Sequence, residues 1–96
     1  MYVVYLVTCQ RVGHYYVGYS RRELYPSRTI AHSCGRGAAF VRRNGFMHSV
    51  VLEERDTLEE AKKAERLWVL RMRGCDVVVA GAGWSSEDLW RERRAA

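Results

Sequence analysis

Tyr2-Val3-Val4-Tyr5-Leu6-Val7-Thr8, followed after a short break by Tyr15-Tyr16-Val17-Gly18-Tyr19, decides the fold. Both stretches are dense in β-branched and aromatic residues, which favour a pleated, half-buried backbone. Cys9 to Gly13 between them has the length of a turn, so the pair predicts an N-terminal hairpin. Side chains alternate along a strand with period two. If Tyr5 stands opposite Tyr16, both rings leave the same sheet face, whereas a one-residue slip would separate them.

Working outward, Arg21 to Tyr25 reads as a polar connector, and Pro26 sits like the first residue of a helix reaching about Ser33. Arg28 and His32, four residues apart, share one face of that helix. Gly35-Arg36-Gly37 ends it, Ala38 to Arg43 fits a short helical turn, and Asn44-Gly45 marks a reversal. His48 to Glu54 predicts a third strand. Thr57-Leu58-Glu59-Glu60 is a capping box, opening a helix that runs to about Arg73 and stops at Gly74. Asp76 to Ala80 is a short apolar run, either a strand or an extended tail. Gly81-Ala82-Gly83 reads as a hinge before a last charged helix that Ser85-Ser86-Glu87-Asp88 opens. The expected architecture is α/β of the α+β kind: a small three-stranded antiparallel sheet flanked by helices over residues 1–80, with a helical extension over 81–96.

A chain of 96 residues allows one small domain, with 48% hydrophobic and 28% charged residues, a globular balance. No apolar stretch is long enough to cross a membrane, so no membrane partner is expected. The opening strand-like run carries no basic leader, and Cys9, Cys34 and Cys75 form no zinc or disulfide spacing. These features predict free thiols in a reducing compartment, cytoplasmic or nuclear. The serines form no nucleophile elbow, no Cys-His spacing suggests a thiol nucleophile, and no Gly-rich phosphate loop follows a strand.

Charge is unevenly spread over the chain. Residues 1–52 hold seven arginines against Glu23 alone, while residues 53–96 hold nine bases and ten acids. Fourteen of the sixteen bases are arginine, whose planar fork suits bidentate phosphate contact. A basic first half fits a polyanionic partner; arginine-favouring codon usage is the alternative source of the same bias. In the long helix, Leu58, Ala61, Ala64, Trp68, Val69 and Met72 form one apolar stripe, and Glu65 falls inside it. An inward carboxylate is costly unless paired, protonated or bound to a cation. An ion pair with an arginine such as Arg28 and a metal-binding role both satisfy that demand.

Singly, Tyr5, Tyr16, Arg28 and His32 are ordinary packing or surface residues. Their order is more specific. Val3-Val4-Tyr5, then Tyr16-Val17-Gly18, then Arg28 with His32 four later, then Glu65 with Trp68 three later, resembles the GIY-YIG nuclease family. His32-Ser33-Cys34-Gly35-Arg36-Gly37-Ala38 is similar to a stretch of the small single-domain and Slx-type (UvrC-like) members. The resemblance covers roughly residues 1–73. Two valines replace the glycine and isoleucine of the first motif, and Val77 to Gly83 lacks the asparagine many members carry.

The resemblance implies a metal-dependent DNA endonuclease, structure-selective for flap, branched or junction DNA, in repair, recombination or viral genome processing. Under it Glu65 binds one Mg²⁺ (or Mn²⁺), Arg28 bridges phosphate oxygens, and Tyr16 and His32 bond around the water and phosphate. Tyr5 acts as or positions the base, or His32 carries the proton instead. Arg11, Arg21, Arg22, Arg36, Arg42 and Arg43 then flank the duplex and bind its backbone. A second reading keeps the fold and basic face in a catalytically weak module that binds nucleic acid or a protein partner. A third is a small basic RNA-binding domain. Trp84, Leu89 and Trp90 of the last helix either pack on the domain or contact a protein partner or a second copy.

Overall fold

The computed structural model describes residues 1–82. Its elements run β1 (Tyr2–Cys9), β2 (His14–Arg21), a 3-10 turn (Arg22–Leu24), α1 (Tyr25–Ser33), α2 (Ala39–Asn44), β3 (Phe46–Arg55), α3 (Leu58–Arg73) and β4 (Val78–Gly81). The strands form one sheet in the order β3-β1-β2-β4. β1 pairs antiparallel with β2 and β3. β4 pairs in parallel with β2, His14 opposite Val78 through Val17 opposite Gly81.

The sheet is thus four-stranded and mixed, correcting the expectation of three antiparallel strands. The apolar run after Gly74 is the added strand, and Gly81, read as the start of a hinge, is its last residue. The other boundaries lie close to those the sequence predicts, with β3 starting two residues earlier than expected. The last helix from Ser85 and the contacts of Trp84, Leu89 and Trp90 lie outside the described residues.

β1 is central, which explains its nearly unbroken apolar sequence. Val3, Tyr5 and Val7 pack on one face with Tyr16, Val41 and Ala80, beneath α1 and α2. Val4 and Val17 pack on the other with Ala61, Ala64, Val69 and Val79, beneath α3. Val4, Val7, Val17 and Val69 are fully buried, each contributing about 1.5–3 kcal/mol of transfer free energy. Leu58, placed in the stripe from sequence, is 37% exposed, because the first turn of α3 projects beyond the packed stretch that begins at Ala61.

Two local devices fix α3. The Thr57 hydroxyl accepts a hydrogen bond from the Glu60 N–H at 3.2 Å, which caps the helix. Trp68 Nε1 donates to Glu53 Oε2 at 2.9 Å, tying the helix to β3. Arg55 Nε also binds Glu53, at 2.7 Å, and Arg71 lies over the Trp68 ring. These bonds hold the Glu53 carboxyl below its ordinary range, the Trp68 bond contributing most. β3 is an outer strand with Met47, Val50 and Val51 exposed, and its ladder with β1 shifts register between Val4 and Tyr5 and again between Thr8 and Cys9.

Candidate active site

The hairpin register places Tyr5 opposite Gly18 and Val7 opposite Tyr16. Tyr5 is therefore not opposite Tyr16, but the offset is two residues, so both rings still leave the same face. Their centroids are 6.5 Å apart. α1 lies over this face. Tyr25, Arg28 and His32 follow one another at three and four residues, so one side of the helix carries all three. His32 is 5.9 Å from Tyr5 and 5.4 Å from Tyr16 between ring centroids, and Tyr25 is 5.3 Å from Tyr5.

His32 is 5% exposed and bonded at both nitrogens. Tyr5 Oη lies 3.1 Å from Nε2, and the Ala38 N–H donates to Nδ1 at 3.4 Å. A backbone amide can only donate, so Nδ1 is the acceptor and the ring proton of the neutral imidazole sits on Nε2. Nε2–H then donates to Tyr5 Oη. Gly37 allows this arrangement: a Cβ there would stand 2.1 Å from His32 Nδ1.

Tyr5, Tyr16, Tyr19, Arg28, Ala31, His32, Arg36, Gly37, Ala38 and Ala82 line one cavity of about 510 Å³. Burial raises the Tyr5 pKa well above its ordinary value, with Tyr16 adding to the rise and Arg28 opposing it. Burial likewise pushes Tyr16 up to about 12, with the nearby Glu65 charge adding to the rise and Arg28 opposing it. The His32 pKa is lowered, first by burial and then by Arg28. One guanidinium thus acts on all three aromatic groups. Glu65, 3% exposed on α3, reaches Tyr16 electrostatically although its helix packs on the opposite side of the sheet. The ladder ends at Val17, whose carbonyl accepts the Ala82 N–H at 3.0 Å, and past it Tyr19 and Ala82 enter the cavity wall.

Of the flanking arginines, only Arg36 joins Arg28 in the cavity. Arg22 lies 3.5 Å from Glu54 at the far end of the sheet, and Arg21 is exposed beside it. Arg11 in the hairpin turn bonds through its N–H to Asn44 O, so it lies near Arg42 and Arg43 in the last turn of α2. The sequence alone does not mark Tyr19, Tyr25 or Ser49 as part of this site. Tyr25 Oη is 2.7 Å from Ser49 Oγ, which ties α1 to β3. The Tyr25-Arg28-His32 spacing was the available signal for Tyr25; nothing local marks Ser49.

Buried phenols, an imidazole and two guanidiniums thus share one cavity on a small mixed sheet. The GIY-YIG catalytic domain profile matches residues 1–73, and the chain belongs to the GIY-YIG family, a family of nucleases that generally use divalent metals. Neither the curated proteins nor the solved structures yield a match. The matched region ends with α3, and β4 follows it in the chain.

Proposed function

We propose that this protein is a divalent-cation-dependent DNA endonuclease that recognises backbone shape rather than base sequence. The observation that carries the reading is the cavity in which Tyr5, Tyr16 and His32 surround the reach of one guanidinium, Arg28.

Hydrolysis of a phosphodiester needs a water brought in line with phosphorus, a proton acceptor for it, and neutralisation of the phosphoryl oxygens. Arg28 fits the last task, as a fixed two-pronged donor on the non-bridging oxygens. Tyr16, held protonated by a pKa near 12, donates a hydrogen bond to the water or the phosphate. Tyr5 receives the His32 Nε2–H, which stabilises negative charge on its oxygen, so Tyr5 is the proton acceptor and His32 its supporting donor. Burial opposes the phenolate, so acceptance of the proton depends on positive charge beside Tyr5.

Glu65 is the residue that would hold the cation, whose chemistry there is stabilisation of charge on the leaving oxygen. The donor set fits a hard ion such as Mg²⁺ or Mn²⁺. One buried carboxylate, Glu65, acts on Tyr16 from α3, and among the described residues no cluster of three or more His, Cys, Asp or Glu forms a closed cage. Mg²⁺ retains waters and takes further ligands from substrate phosphate.

Arg11, Arg21, Arg42 and Arg43, exposed around the domain, supply backbone contacts. The test is incubation with Mg²⁺ or Mn²⁺ and flap, junction and linear duplex DNA, with Glu65→Gln alongside. Cation-dependent nicking that Glu65→Gln loses supports the reading. Tight binding without nicking under any of these conditions refutes it in favour of a binding module.

A further inference from the structure

Arg36 reaches the cavity because of how α1 ends. Gly35 adopts φ 74, its N–H donates to His32 O at 3.2 Å, and the Arg36 N–H donates to Ala31 O at 2.8 Å. Those two reversed bonds are a Schellman ending, for which glycine is the favoured pivot. The ending turns the chain back along the helix, so Arg36 joins Arg28, Ala31 and His32 in one wall. No acidic residue lines the cavity among the described residues.

The two guanidiniums are not equivalent. Arg28 lies on α1 one turn before His32 and acts on Tyr5, Tyr16 and His32, whereas Arg36 follows the Gly35 reversal after the helix has ended. Arg36 thus lines the same cavity from the loop after α1, not from the helix itself. Successive phosphates of one strand advance by about 3.4 Å along the duplex axis. Two guanidiniums in the wall of one cavity offer one donor to each of two neighbouring phosphates. The cavity also lies within the volume range of sites that enclose molecules larger than a lone phosphate.

Resting on the endonuclease reading above, we propose that the cavity is a two-phosphate site. Arg28 takes the scissile phosphate and Arg36 the adjacent phosphate of the same strand, so the substrate is an internal bond of a polynucleotide rather than an isolated diester. Arg36 is a positioning residue: it sets where the strand lies and leaves the chemical step to the groups around Arg28.

The experiment first maps the cut that the wild-type protein makes in a flap duplex. It then measures KM and kcat on that duplex with the phosphate on either side of the cut replaced, one at a time, by a neutral methylphosphonate. Arg36→Ala raises KM on unmodified DNA about tenfold with kcat little changed, and Arg36→Lys restores part of the loss. One of the two neutral replacements raises the wild-type KM by a similar factor and costs Arg36→Ala nothing further, because the partner is already gone. The proposal is overturned if Arg36→Ala lowers kcat alone, if it leaves KM unchanged, or if each replacement costs the variant as much as the wild type. A wild-type protein that cuts no unmodified DNA defeats the endonuclease reading itself, and the two-phosphate site with it.

Discussion

The Tyr5 ring rests on Gly18: a Cβ at that glycine would stand 2.5 Å from both Cζ and Oη of Tyr5. The two residues face each other across the hairpin. The glycine thus sets the position of the hydroxyl that meets His32. Gly18→Ala must push the ring away, at an overpacking cost of about 1–3 kcal/mol. Cleavage should fall by roughly a hundredfold, the lower bound for losing a positioned proton acceptor. Circular dichroism and a nicking assay on one preparation check this; full activity in a folded Gly18→Ala protein would show that Tyr5 placement is unimportant.

Acid should weaken the fold through His32. Its folded pKa lies below the ordinary 6.5, so in that window the unfolded chain binds a proton that the folded one does not. Stability therefore rises with pH there: this contribution is complete above about pH 6.5 and is lost as pH falls towards the folded value. Glu53, also lowered, acts in a separate range below its ordinary 4.5. A series of melting temperatures from about pH 7.5 to about pH 5.5 should decline for the wild type and stay flatter for His32→Gln. Parallel curves would contradict the assignment.

Mg²⁺ should stabilise the native protein, because a ligand held by the folded state alone raises the melting temperature with its concentration. Glu65→Gln should abolish that rise while keeping the far-ultraviolet spectrum. An equal rise in the variant would place the cation elsewhere, whatever happens to activity.

Trp68→Phe removes the indole N–H that Glu53 accepts. The bond is only part-buried, so the expected loss is about 1 kcal/mol, plus the volume of the missing ring atoms. Since the same bond anchors α3, the turn carrying Glu65 should loosen, and the Mg²⁺ concentration needed for half-maximal cleavage should rise more than KM for DNA does. Urea unfolding together with a Mg²⁺ titration reads both effects.

Much of the fold is legible locally. The hairpin follows from β-branched and aromatic density, α1 from Pro26, and α3 from the Thr57 cap and Gly74. β4 is not, because Val78–Gly81 is only four residues long and its partner, His14–Val17, lies some sixty residues back in the chain. The same-face placement of Tyr5 and Tyr16 survives the two-residue offset because period two forgives even slips and punishes odd ones. Glu65 stands out as a lone acid in an apolar stripe, yet no helical periodicity tells which side of a sheet that helix covers. The imidazole tautomer was equally hidden: it depends on Ala38 N–H, six residues on and beyond the Gly35 reversal.

The outer strand β3 carries a cost of its own. Among the described residues, Phe46–Arg55 leaves one ladder of amides and carbonyls facing outward, with Met47, Val50 and Val51 beside it. Such a rim invites indiscriminate sheet extension at high concentration. Its two register shifts and its closing Glu53-Glu54-Arg55 block are the brakes, since irregular, charged strands stack poorly on copies of themselves. A Glu54→Val protein would release one brake and the Arg22 contact together, leaving the rim open to pairing with a second copy.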